Sequence, residues 1–124
     1  MTGSDILIFL VLIQAKHYLA DFQWQTREMV MQKGQYMHPA GLLHAGVHAV
    51  LSIPVMLVSG FGGLGLILLL AIAEFVLHHH IDWFKLHIQH DSIDVNDARY
   101  WNLLGLDQAA HQLTYVAMLA IGLI

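Results

Sequence analysis

Cysteine is absent from the chain, which excludes disulfides, thiolate metal sites and cysteine nucleophiles. Cations are almost as scarce. Five lysines and arginines within a formal net charge of -4 cannot form the clustered basic surface that phosphate backbones need, so nucleic acid is set aside as a partner. Charged residues of both signs make up only 11% of the 124 residues. There is no internal repeat and no low-complexity tract. The opening "MTGSDILIFLVLIQAKHYL" has no basic leader and no small-residue cleavage pattern, and reads as a retained helix and not a signal peptide.

Apolar residues fill the space left by charge, at 57% of the chain with a mean hydropathy of +0.60. That is too apolar for an average soluble domain, and the length suits one integral-membrane domain over residues 1–124 with the lipid bilayer as its partner. Four apolar segments follow one another: about Asp5 to Arg27, Ala40 to Ser59, Leu64 to His90, and Ala98 to the C-terminus. Each is near the ~20 residues that cross a bilayer, the first and fourth being marginal when read singly. Gly34 and Pro39 break any helix in the first connector, "SGFGG" forms a tight turn, and Asp94 and Asp97 supply capping residues before the fourth segment. The expected fold is all-α: an antiparallel four-helix transmembrane bundle with a metal site in its core. Its oligomeric state, monomer or homo-oligomer, is left open.

Orientation follows from the few cations. Arg27 and Lys33 flank the first connector, Lys85 and Arg99 the third, and the termini and the Gly-rich turn have none. By the positive-inside rule the connectors at 28–39 and 91–97 are cytoplasmic and both termini lie on the far side. Trp24, Trp83 and Trp101 gather near the inferred cytoplasmic boundary, as an aromatic belt does.

Histidine and carboxylate must then carry any chemistry, and they recur in a pattern. Each segment holds a pair at spacing i, i+4: His17 and Asp21, His44 and His48, His78 and Asp82, Asp107 and His111. That spacing stacks two side chains on one helix face about a turn apart. The pairs lie late in the odd segments and early in the even ones, so an up-down bundle brings all four to one level, displaced toward the cytoplasmic side. Five imidazoles and three carboxylates suit zinc, one ion or two, or iron or manganese, better than calcium or magnesium. One such pair alone would be as well explained as an interhelical hydrogen bond, but four at matching depth favour a metal. Stripes extend the faces through Gln14 and Gln25 on the first helix and through Glu74 and Lys85 on the third. His79 and His80 fall on other faces and read as packing or interfacial residues. His38, His87 and His90 lie at segment ends and need no special role.

"KHYLADFQWQ", "HAGVHA", "EFVLHHHIDWFK" and "DQAAHQ" together resemble the small bacterial and phage membrane proteins of domain of unknown function 3307, over nearly the whole chain. The resemblance implies a multi-pass protein of the bacterial inner membrane, and its recurring residues fall on His17, Asp21, Gln25, His44, His48, Glu74, His78, Asp82, Lys85, Asp107, Gln108 and His111. It implies no activity. More distantly the pattern is similar to membrane-bound metal-dependent hydrolases.

A metal in a partly dry site acidifies water and polarises a carbonyl or phosphoryl oxygen, which points to hydrolysis of an amphipathic, lipid-like substrate. Glu74 or one of Asp21, Asp82 and Asp107 would be the base or a bridge, and Lys85 would neutralise substrate charge or orient a neighbouring carboxylate. A membrane di-iron oxidase is the second class, although the repeated His-x-x-His-His boxes are missing. The third is a structural metal or an ion conduit, the latter disfavoured by the apolar "GLGLILLLAIA" and "VAMLAIGLI".

Overall fold

A computed structural model describes residues 1–89 and 94–124, and among these all regular secondary structure is helical. Helix α1 (Gly3–Tyr18) continues into one π-helical turn, Leu19–Gln23, and is followed by α2 (Arg27–Gln32), α3 (Pro39–Val58), α4 (Leu64–Gln89) and α5 (Ala98–Gly122). Four long helices were expected, and a short fifth is added. The first α-helix stops at Tyr18, where the backbone widens so that Trp24 N–H reaches the Leu19 carbonyl at 2.9 Å. In the connector read as helix-free, the Thr26 hydroxyl accepts from Met29 N–H at 3.2 Å and starts α2. Pro39 does not interrupt a helix but begins one, at a position where its missing N–H costs nothing, while His38 caps α3 by accepting from Ala40 N–H at 3.2 Å.

The other boundaries lie within a residue or two of expectation. Asp97 caps α5 through Arg99 N–H at 2.9 Å. Gly60 and Gly63 hold φ of 72° and 62° in the turn between α3 and α4, a left-handed backbone that a side chain would oppose. His90 lies outside the described residues.

Short connections make neighbours antiparallel, and the helices pack in the ring α1–α3–α4–α5, closed by contacts between α5 and α1, with α2 laid against α3. Gly41 permits that last approach: a Cβ there would lie 3.1 Å from the Lys33 Cα. The interior divides in two along the bundle. Toward the termini, Phe9, Ile13, Met56, Phe61, Ile67 and Met118 form an apolar core. Toward the connectors the buried residues include Lys16, His17, Asp21, Lys33, His44, His48, Glu74, His78, Asp82, Asp107 and His111.

The outside is correspondingly apolar. Leu7, Val11, Leu43, Val50, Leu69, Ile72, Leu106 and Leu113 are each at least 60% exposed, an extent of bare aliphatic surface that marks an interaction site or a lipid-facing belt. Helices α3 and α4, with mean hydropathies of 1.8 and 1.9, are long and apolar enough to cross a membrane, whereas α1 and α5 do not reach that measure. Polar side chains turned inward lower the average of α5, which buries Asp107 and His111.

Candidate metal centre

The i, i+4 pairs do meet at one level. Asp21, His44, His48 and His78 each offer a ligand atom within 4.8 Å of the other three, and His78, Asp82 and His111 form a second such group. Asp21 comes from the π-helical turn, a feature that often marks functional sites. Its Oδ1 lies 3.0 Å from His44 Nε2 and 3.2 Å from His48 Nε2, and His44 Nε2 is 3.2 Å from His78 Nε2. A tetrahedral shell with zinc bonds of about 2.0–2.1 Å has ligand-to-ligand edges of about 3.3–3.4 Å, near these three separations, while His78 Nε2 lies farther from Asp21 Oδ1, at 3.9 Å. Asp82 Oδ2 stands 3.3 Å from His44 Nε2 and 3.6 Å from His78 Nε2. His111 Nε2, Asp82 Oδ1 and Asp107 Oδ1 have no hydrogen-bond partner among the described residues although all are buried. They face one another, His111 Nε2 lying 3.5 Å from Asp82 Oδ1 and 3.7 Å from Asp107 Oδ1. Orphaned polar atoms converging in a closed space fit a cation, because burial without a partner costs each of them free energy.

Two of the eight expected ligands stand outside both groups. His17 has both nitrogens engaged: Nδ1 meets the Tyr115 hydroxyl at 2.9 Å and Nε2 meets Gln108 Oε1 at 3.0 Å. Since an amide oxygen only accepts, Nε2 carries the proton, which also points at Asp21 Oδ2, 3.3 Å away. His17 thus orients the Asp21 carboxylate. Asp107 takes a bond from Gln108 Nε2 at 3.2 Å and turns its other oxygen toward His111.

Two lysines complete the electrostatics, and the expected pattern of pairs contained neither. Lys33 reaches Asp82 Oδ2 at 3.1 Å from the start of the loop after α2. Burial works against its ammonium, but the carboxylates of Asp82 and Asp21 outweigh this and raise its pKa above the usual lysine value. Lys16 is buried on α1 between Glu74, with which it forms an ion pair, the Tyr115 hydroxyl at 3.2 Å and His48 Nδ1 at 3.4 Å. Glu74 is therefore not at the cluster: within 4 Å its carboxylate meets Lys16 and no cluster imidazole. Beyond this layer the interior is the apolar core, and on the outer side Gln14 and Gln112 are hydrogen-bonded to each other across α1 and α5.

A cavity of about 520 Å³ adjoins the cluster at the connector end. Asp21, Asp107 and Gln108 form its inner wall, with Lys33, Lys85 and Gln25 among its other lining residues. Lys85 stands here, on the cavity wall. Three other histidines have structural surroundings: His79 Nε2 accepts from Met37 N–H at 3.4 Å, His80 meets the Tyr36 hydroxyl at 3.3 Å, and His87 stacks on Trp83 with centroids 5.1 Å apart.

These features define a class, an all-helical protein with two helices able to cross a membrane and a buried His/Asp cluster able to hold a metal. Residues 6–123 match the family described as Protein of unknown function (DUF3307), and the chain belongs to it. No curated protein and no solved structure matches the chain.

Proposed function

We propose that this protein is an integral-membrane, metal-dependent hydrolase acting on an amphipathic ester or phosphoester. The observation that carries the reading is the position of Asp21, which belongs both to the group able to hold a metal and to the wall of the cavity. A closed shell of protein ligands would indicate a structural site, whereas a ligand wall opening on a cavity leaves room for a reactant.

In this reading the four long helices span a bacterial inner membrane, with the connectors cytoplasmic and both termini outside. Asp21, His44, His48, His78, Asp82 and His111 hold zinc, one ion or two, with iron or manganese as alternatives. The bound metal supplies Lewis acidity and an acidified water. His17 and Gln108 fix Asp21, and Lys33 fixes Asp82. Asp107, which lines the cavity beside the cluster, replaces Glu74 as general base. Its carboxylate takes a proton from water as the water oxygen bonds to the acyl carbon or phosphorus. The bond to the leaving oxygen then breaks, and that oxygen receives the proton. Glu74 acts at a distance, neutralising Lys16. The apolar core toward the termini argues against an ion conduit.

One contact favours a second reading. Lys16 can donate to His48 Nδ1 while His48 Nε2 donates to Asp21, which is a hydrogen-bonded network that needs no metal. Ligation through Nε2 instead places the proton on Nδ1 and leaves Lys16 to Glu74 and Tyr115. Elemental analysis of the purified protein separates the two readings. A panel of ester, phosphoester and amide substrates then tests the reaction: Asp107→Asn is expected to keep its metal and lose turnover. A metal-loaded parent that cleaves no member of the panel would overturn the hydrolase reading.

A further inference from the structure

Resting on the hydrolase reading, the substrate class can be narrowed from a second hollow. A groove of about 300 Å³ runs between α4 and α5, walled by Ile81, Phe84, Ile88, Leu103, Leu106 and Ala110. Two further residues line it, Lys85 and Asp107, and both also line the polar cavity beside the cluster. The two hollows therefore share a rim carrying one ammonium and one carboxylate, with hydrocarbon surface on one side and the His/Asp cluster on the other.

We propose that the groove holds the hydrocarbon chain of a phosphate-bearing lipid, whose headgroup enters the polar cavity and whose phosphate is held at the rim by Lys85. Three observations support this occupant. The groove is nearly devoid of polar surface except at its rim, so a polar ligand lying along it would lose hydrogen bonds. Its volume is at the lower end of small-molecule sites, roughly 300–1,000 Å³, which suits one chain better than two. The cavity end supplies Lys33 and Lys85, and no carboxylate among the described residues lies within 4 Å of the Lys85 ammonium, leaving it able to pair with an anion. An ammonium on a four-carbon stem can keep contact with the apolar wall while its head meets a phosphate. Lys85 is then a substrate-binding residue, and Asp107 lies where the headgroup passes into the cavity.

The probes are dodecyl phosphate and dodecanol, each with a photoactivatable diazirine at the chain terminus, applied to the metal-loaded protein in detergent. Dodecyl phosphate should label the groove segments around Phe84 and Leu103–Leu106. Ala110→Trp, which fills the groove, should reduce that labelling about tenfold with metal content unchanged. Lys85→Met should weaken dodecyl phosphate binding about tenfold, the equivalent of ~1.4 kcal/mol, and leave dodecanol labelling alone. Labelling spread evenly over the outer faces, insensitivity to both variants, or crosslinks between two copies across the groove would each overturn the proposal. Labelling needs no turnover, so the two readings fail separately. Groove labelling without any hydrolysis removes the hydrolase reading and keeps the lipid site. Cleavage of a short, water-soluble phosphoester by a protein whose groove does not label removes the lipid site alone.

Discussion

Removing the metal is the perturbation whose magnitude follows most directly from the geometry. His78 belongs to both ligand groups, is 1% exposed, and has its Nε2 within 3.2 Å of His44 Nε2. A ligand that binds only the folded chain stabilises it by about 2.7 kcal/mol at a hundred times its dissociation constant. For a domain of this length, at roughly 3–4 °C per kcal/mol, chelation should then lower the melting temperature by roughly 10 °C. His78→Ala should melt low from the start and show no further response to chelator, because neither group keeps its full set of donors. His48→Ala and His111→Ala each touch one group. If each group holds an ion, each of these variants retains the ion of the other group, and if the groups share one ion, both variants lose it. The assay is a melting curve in detergent with and without chelator, beside elemental analysis of the same samples. An unchanged curve in a protein free of transition metal refutes the metal centre altogether.

Four further outcomes are expected. Glu74→Gln leaves the Lys16 ammonium buried without its counter-charge and should cost roughly 3–5 kcal/mol, much of it recovered in the double variant with Lys16→Met; a Glu74→Gln protein as stable as the parent would return Glu74 to the list of bases. Asp107→Asn should retain metal and lose turnover, as elemental analysis beside the substrate panel would show. Gly41→Val forces a side chain against the Lys33 backbone, where only 3.1 Å is available to a Cβ, and should destabilise by about 1–3 kcal/mol in thermal melts. Gln35→Cys, at an exposed position in the first connector, should resist an impermeant thiol reagent applied to intact cells, and labelling from outside would invert the topology.

Periodicity along single helices made part of this arrangement legible in the sequence. The i, i+4 pairs on α3, α4 and α5 identify inward faces without any knowledge of partners, because burying a polar stripe is the only economical use of one in an apolar helix. The start of α5 was equally readable from Asp97, whereas Pro39 reads as a helix breaker and is in fact the first residue of α3. Contacts across helices were not. Lys16 is adjacent to His17 and off the stripe through Gln14, His17 and Asp21, so nothing local indicates that it turns inward to meet Glu74 from α4. Lys33 reads as a flanking cation at the membrane boundary, and only the close approach at Gly41 brings it to Asp82. Glu74 illustrates the limit of a stripe most clearly. Extending the His78 and Asp82 face by one turn predicted a catalytic carboxylate, but one turn is also enough to carry it out of the cluster and into the layer of Lys16 and Tyr115.

Charge balance connects the cluster to the chemistry of what it would bind. Four carboxylates, those of Asp21, Glu74, Asp82 and Asp107, are buried in the polar half, against the two ammonium groups of Lys16 and Lys33. With the imidazoles neutral, as metal ligation requires, two negative charges are uncompensated in a low-dielectric interior, where isolated charge is costly. One divalent cation makes the buried set neutral, and such a site can persist without a ligand. Two divalent cations leave an excess of two positive charges, which then calls for an anion from the cavity side, where Lys85 adds a further positive charge. A dinuclear form of this site should therefore bind phosphate-type anions more tightly than a mononuclear one. Inorganic phosphate protection of the melting temperature, measured against metal content, reports that difference: protection that rises with the second equivalent of metal supports a two-ion anion-binding centre, and equal protection at one and two equivalents assigns the phosphate to the lysines instead.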